Sequence, residues 1–181
     1  MSEKNPWVVN DVSTEYENPW IRVDHHDVTN PAGNPGVYGK VHFKNRAVGV
    51  VPISDNGDTW LVGQYRFPLD EYHWEIPMGG APVNESAEDC AIRELHEETG
   101  LQCTTLTLLS RVHLSNCITD EEGILFVATG LTEGVSEPEE TEVLTIRRVP
   151  FEEAFQMSQD GRITDALSVL ALTQIRLKGL A

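Results

Sequence analysis

Gly79, Glu85 and the run Arg93-Glu94-Leu95-His96-Glu97-Glu98-Thr99-Gly100-Leu101 form one pattern: a glycine, five residues, a glutamate, seven residues, then R-E-apolar-x-E-E-x-G-apolar. Glu94, Glu97 and Glu98 fall within little more than one helical turn. Residues three and four apart share a helix face, and like charges there repel. Folding favours such a cluster only when a cation neutralises it. Carboxylate oxygens without soft ligands are what Mg²⁺ or Mn²⁺ prefers, usually together with substrate phosphates. The pattern therefore predicts a metal-loaded site for phosphate chemistry.

The surrounding sequence predicts a helix from Ser86 to Thr99. Ser86 with Asp89 three residues later makes a capping box, and Gly100 stops the helix. Ala87, Cys90, Ala91 and Leu95, flanked by Ile92, form the apolar stripe, and the glutamates point elsewhere. Upstream, residues 20–29 alternate as a strand, residues 30–36 are dense in turn formers, and residues 37–43 resume an extended pattern, giving a hairpin. Residues 47–53 read as a buried strand, Asp55-Asn56-Gly57-Asp58 as a tight turn, and residues 60–64 as the paired strand. Residues 101–112, 123–129 and 143–149 read as further strands, with an acidic loop at 136–142. Pro150 and Phe151 open a short helix that Gly161 breaks. Thr164 is expected to cap a final helix carrying Leu167, Leu170, Leu172 and Ile175. Strands around one central helix, closed by helices, predict a mixed sheet sandwiched between helices.

At 181 residues the chain suits one domain with a sizeable core. A formal net charge of −16 argues against non-specific nucleic-acid binding, which needs clustered Lys and Arg. Met1 to Pro6 precede no apolar core, so no secretory signal is expected, and no apolar run reaches the length of a membrane span. Cys90, Cys103 and Cys117 have no metal-type spacing, and an odd count without an export signal predicts reduced thiols in the cytoplasm. His25 and His26 are adjacent and face opposite sides of a strand, so neither a histidine base nor a zinc site is expected.

The pattern from Gly79 to Leu101 resembles the signature box of the Nudix hydrolases, with every specified position met. The resemblance implies an α/β fold: the Nudix α/β/α sandwich with a mixed β-sheet and an N-terminal antiparallel β-hairpin region. It divides the chain into N-terminal strands at 1–46, for dimerisation and substrate contacts, and a hydrolase domain at 47–181. It also implies that Glu94 and Glu98 are the main ligands of Mg²⁺ or Mn²⁺, with Glu97 assisting, and that Glu85 and Arg93 orient the helix. Trp74-Glu75-Ile76-Pro77-Met78-Gly79-Gly80 looks like the segment before the box in nucleoside diphosphate sugar hydrolases, including ADP-ribose pyrophosphatases. There the carbonyl before the box glycine, here Met78, binds metal, and Glu75 belongs to the substrate side. Gln64-Tyr65-Arg66 is similar to a motif whose arginine sits near the diphosphate. Counting back from Gly161-Arg162-Ile163, which resembles the start of that group's last helix, places Glu140 and Glu142 in its acidic loop. Glu140 is assigned as general base and Glu142 as a further metal ligand, with Glu137 and Glu139 close enough for either role.

The proline that ADP-ribose pyrophosphatases carry beyond the box is absent from Ser115-Asn116-Cys117-Ile118, and so is the tyrosine of dinucleoside polyphosphate hydrolases. Ser115 with Thr119-Asp120-Glu121 resembles a broader sugar-nucleotide subgroup, in which Glu121 touches substrate or metal. The expected reaction is hydrolysis of a nucleoside diphosphate sugar, such as GDP-mannose or ADP-ribose, to a nucleoside monophosphate and a sugar 1-phosphate, with an alkaline optimum. NADH or a dinucleoside polyphosphate as substrate, or a silent nucleotide-sugar sensor, are the alternatives. The subgroup implies a homodimer in which the N-terminal strands help build the neighbour's site. Trp20, Tyr38 and Phe43 are candidates to stack on the base, and Arg46, with Arg22, Lys40 and Lys44, to contact phosphate or ribose.

Overall fold

Strands β1 (Val8–Glu17), β2 (Ile21–Thr29) and β3 (Pro35–Phe43) form an antiparallel sheet in that order. The structure is a computed structural model and describes residues 4–137 and 143–181. The β2–β3 turn is the expected one: Asn30 Oδ1 accepts from the backbone N–H of Ala32 and of Asn34, each at 3.0 Å. Strand β1 was not expected. All ten of its residues are exposed, its apolar Val8, Val9, Val12 and Tyr16 are scattered among polar residues, and its pairing with β2 slips between Val9 and Asp11 and between Thr14 and Tyr16.

The chain forms two compact units, Met1–Asn45 with His113–Glu121, and Arg46–Val112 with Glu122–Ala181. In the first, the loop at 115–120 is stitched to β3. Val41 N–H donates to Ile118 O at 2.9 Å, Phe43 N–H to Asp120 Oδ1 at 3.1 Å, and the Tyr38 hydroxyl to the Cys117 carbonyl. Asp24 is buried and held by Thr14 Oγ1 at 2.8 Å, by Arg22 Nε at 3.0 Å and by His42 Nε2 at 3.1 Å. The other ring nitrogen of His42 meets Asp120.

The second unit holds the mixed sheet β7-β4-β9-β8, built from β4 (Arg46–Pro52), β7 (Met78–Ala81), β8 (Leu101–His113) and β9 (Glu122–Glu133). Strand β4 runs antiparallel to β7 and parallel to β9. A second sheet, β10-β5-β6, pairs β5 (Asp58–Arg66) with β6 (Glu71–Glu75) and with β10 (Thr145–Pro150). The turn at Asp55–Asp58 forms as expected, with Gly57 N–H donating to Ser54 O at 2.9 Å. The strands on either side of it do not pair with each other, contrary to the sequence reading. The residues of β4 from Val48 to Pro52 are buried without alternation, which suits the interior of a sheet covered on both faces. Strand β4 takes β7 and β9 as neighbours, and β5 passes into the other sheet.

Helix α1 (Ala87–Thr99) covers one face. Its Ala87, Cys90, Ala91 and Leu95 pack with Val48, Val50, Ile124, Phe126 and Ala128. Side chains alternate along a strand, so Gly123, Leu125 and Val127 look the other way. A Cβ on Gly123 would meet Leu167 Cδ2 at 2.6 Å, which puts α3 (Ala166–Lys178) on that second face. Helix α2 (Phe151–Gln159) packs against α3. The result is the expected sandwich. One local detail differs: Asp165, not Thr164, caps α3, accepting from Ser168 N–H at 2.7 Å. A carboxylate at the positive end of a helix adds charge stabilisation that a hydroxyl lacks.

Candidate active site

Helix α1 starts and stops where its sequence dictates. Ser86 Oγ accepts from Asp89 N–H at 3.0 Å, and Gly100 ends the helix at φ 73° with its N–H on His96 O. That left-handed turn suits glycine. A Cβ there would also lie 2.7 Å from Gly134 O and 2.8 Å from Ser136 N, so Gly100 lets the chain entering the acidic loop pass the helix end. Glu137 N–H then donates to the carbonyl of Glu97 at 2.9 Å. The beginning of the acidic loop is thereby tied to the box helix. Glu139, Glu140 and Glu142 lie outside the described residues.

Glu94 and Glu98, one turn apart, are 8% and 1% exposed. They do not face open solvent, and burying ionised carboxylates is costly without compensation. Arg93 supplies part of it. Its Nη1 donates to Glu94 Oε1 at 2.6 Å and to Glu97 Oε2 at 2.8 Å, while Nε and Nη2 grip Glu85 at 2.9 Å each. That grip holds the Glu85 carboxyl below its usual range, and the carboxylates together raise the Arg93 pKa. Glu98 Oε2 accepts from Met78 N–H at 2.9 Å, and strand pairing sets Met78 opposite Gly49. The Cys90 thiol, in the apolar stripe beneath, is pushed up to about 12 chiefly by burial.

Gly79 makes room for Glu94. A Cβ at residue 79 would lie 2.5 Å from Glu94 Oε2 and closer still to Oε1 and Cδ. One guanidinium does not neutralise four carboxylates, and the donors are hard oxygens; both features fit a divalent cation. Among the described residues no three His, Cys, Asp or Glu side chains converge as a ready cage. Magnesium needs none: it is bound through one or two carboxylates with substrate phosphates and water completing the shell.

Arg66, on β5, donates from Nε to Glu75 Oε1 at 2.9 Å and Oε2 at 3.1 Å, and from Nη2 to Oε2. Glu75 is 3% exposed, so its carboxylate is an anchor for the arginine. This bond is the main cause of the raised Arg66 pKa, to which Asp165 and Glu98 also contribute. The segment after Glu75 is fixed from α3, where the buried Ser168 Oγ accepts from Ile76 N–H at 3.0 Å. Beside Arg66 opens a pocket of about 260 Å³ lined by Pro68, Leu69, His73, Glu75, Thr164 and Asp165. The sequence marked neither His73 nor Asp165 for this site, and marked Thr164 only as a helix cap. His73 Nδ1 lies 3.2 Å from Thr164 Oγ1 across 91 positions of chain, a pairing that only the fold makes.

The cations expected near the N-terminus are engaged. Arg22 pairs with Asp24 at 3.0 Å, Lys40 with Asp120 at 3.3 Å and Lys44 with Glu17 at 2.8 Å. Arg46 Nη2 donates to Glu85 O at 2.5 Å. Trp20 is 67% exposed, free to stack on a ring, while Tyr38 meets Trp7 edge to face at 5.6 Å. Glu121 has interactions of its own and follows the stitched loop in sequence.

A buried glutamate pair on a capped helix, Glu94 seated against Gly79, and an arginine braced by a buried glutamate are the features of an enzyme site in a sandwich fold whose hard oxygen donors fit a divalent cation. The NUDIX domain matches residues 43–169, and the chain belongs to the Nudix family. It is 34% identical over 134 residues to the methanol dehydrogenase activator of Bacillus methanolicus, spanning 73% of this chain and 72% of that protein. An ADP-ribose pyrophosphatase of Bacillus subtilis (strain 168) is 33% identical over 134 residues, with the same coverage of 73% and 72%. A crystal structure of an ADP compounds hydrolase superposes with a TM-score of 0.87 at 26% identity, covering 100% of this chain and 99% of that one.

Proposed function

We propose that this chain is a Nudix pyrophosphohydrolase that cleaves the diphosphate of nucleoside diphosphate sugars, releasing a nucleoside monophosphate and a sugar phosphate. The observation that carries the reading is the buried Glu94–Glu98 pair, with Glu94 seated against Gly79 and Glu98 on Met78 N–H. Relatives that act on ADP-ribose and on ADP compounds support the substrate class. Glu94 and Glu98 would hold Mg²⁺ or Mn²⁺, with Glu97, the Met78 carbonyl and Glu142 as further donors. The cation, when bound, neutralises charge on the diphosphate and lowers the cost of deprotonating the attacking water. Arg66, braced by Glu75 through Nε and Nη2, turns Nη1, which has no hydrogen bond among the described residues, to a phosphate oxygen. Arg93 holds Glu94 and Glu97 in place. Glu140 accepts the proton of the attacking water.

Trp20 stacks on the base, and Arg46 and Glu121 complete the substrate contacts. The protein works as a cytoplasmic homodimer joined through its N-terminal sheet. Trp7, Val8, Val9, Val12 and Tyr16 are exposed along or beside β1, an edge strand that natural proteins cover when it is apolar. No helix among the described residues is long and apolar enough to cross a membrane.

The test is product release with Mg²⁺ from GDP-mannose, ADP-ribose, UDP-glucose, NADH and diadenosine polyphosphate, side by side. Turnover of the nucleoside diphosphate sugars, abolished by chelator, is expected. Turnover of only the last two would overturn the substrate class, and binding without turnover of any would overturn the assignment as an enzyme.

A further inference from the structure

The pocket beside Arg66 has a chemical character of its own. Its polar wall comes from three elements: His73 on β6, Thr164 and Asp165 ahead of α3, and Glu75 at the end of β6 with Arg66 across it on β5. Its apolar wall is Pro68 and Leu69. The carboxylates of Glu75 and Asp165 disfavour a second phosphate there, since like charges repel. Both carboxylates accept hydrogen bonds from hydroxyls. Thr164 Oγ1 can donate and accept, and is exposed. His73 Nε2 is buried without a hydrogen bond among the described residues, with Glu71 Oε2 at 3.4 Å. The volume of about 260 Å³ is below that of sites for drug-sized ligands and suits a single ring.

We propose that this pocket receives the sugar of the substrate, and that Thr164, its hydroxyl oriented by His73 Nδ1 at 3.2 Å, reads the sugar hydroxyls while Pro68 and Leu69 pack against its C–H face. The inference rests on the hydrolase reading above and deepens it. Arg66 marks the phosphate end of the pocket, and Glu75, which braces it, stands three residues before Met78, whose N–H donates to Glu98 Oε2 at 2.9 Å, so the pocket adjoins the box helix. The hydroxyl pattern of the sugar is matched by two side chains brought together only by folding, and sugar choice is thereby separated from base choice.

The test compares His73→Gln and Thr164→Val with the wild-type protein on two series. One varies the sugar on a common base: ADP-ribose, ADP-glucose and ADP-mannose. The other varies the base on a common sugar: ADP-mannose and GDP-mannose. Each variant is expected to change the ratio of kcat/KM between at least two ADP-sugars by about tenfold, the loss of one hydroxyl contact, and to leave the base ratio unchanged. Thr164 is exposed, so Thr164→Val keeps the test usable should the half-buried His73 prove needed for folding, which a thermal melt would reveal. Equal losses on all ADP-sugars, or a change in the base ratio alone, would overturn the inference while leaving the hydrolase intact. A wild-type protein inactive on every nucleotide sugar would overturn the parent reading and this one with it.

Discussion

The Glu94 carboxylate occupies the space that a side chain on Gly79 would fill: a Cβ there would lie 2.5 Å from Glu94 Oε2. The two residues are fixed by different elements, Gly79 by pairing with Val48 in the sheet and Glu94 by α1. Neither can yield without disturbing a buried layer. Gly79→Ala is therefore expected to displace the carboxylate and lower kcat by about a hundredfold, the scale of an ångström-sized misplacement. A crystal structure of the variant with steady-state kinetics checks this. Unchanged kcat with an undisplaced Glu94 would show that the cradle is not needed.

Glu98→Gln keeps an acceptor for Met78 N–H and removes the charge. Fold stability is expected to change little, whereas Mg²⁺-supported turnover should fall by at least about a hundredfold. Calorimetric titration with Mn²⁺ gives a second readout, in which the variant binds more weakly. Full activity in Glu98→Gln would remove the helix pair from the mechanism.

Acid stability isolates Asp24. Thr14 and Arg22 hydrogen bonds hold its carboxyl below the usual value of 3.8. A depressed folded-state pKa gives stability that is present above that usual value and is lost as pH falls through the folded one. The melting-temperature gap between wild type and Asp24→Asn should be full at pH 7 and close below pH 3.8. A gap that widens on acidification would reverse the sign and the argument.

The three cysteines should separate by reactivity. Cys117 is exposed, whereas Cys90 is buried and its thiol is pushed up to about 12. The thiolate is the reactive form. A thiol reagent on the native protein should label Cys117 first and Cys90 only after unfolding, as mass spectrometry of timed aliquots would report.

Val12 is 47% exposed on β1. If two copies bury this sheet, Val12→Glu places a charge in their interface and should shift the species in sedimentation from dimer to monomer. A wild-type protein that sediments as a monomer at micromolar concentration would refute the dimer directly.

The sequence by itself determined the box helix, with Ser86 as its cap, Gly100 as its stop and Ala87, Cys90, Ala91 and Leu95 as its buried stripe. Caps and helical period act within one turn of chain, so they are written locally. The β2–β3 turn and the sandwich of a mixed sheet between helices were legible for the same reason. Strand partnership was not. The run at β4 shows that it is buried on both faces, but its neighbours are chosen by segments about 30 and 75 residues away, as the register with Gly79 and Ile124 records. Strand β1 left no pattern because none of its residues is buried. The bracing of Arg66 by Glu75, the His73–Thr164 contact and the Gly79–Glu94 interlock are likewise tertiary. Local sequence sets which groups are available for chemistry. Which of them meet is decided by how the β-sheets close around the helix, because a contact across 91 positions depends on every layer packed between its ends.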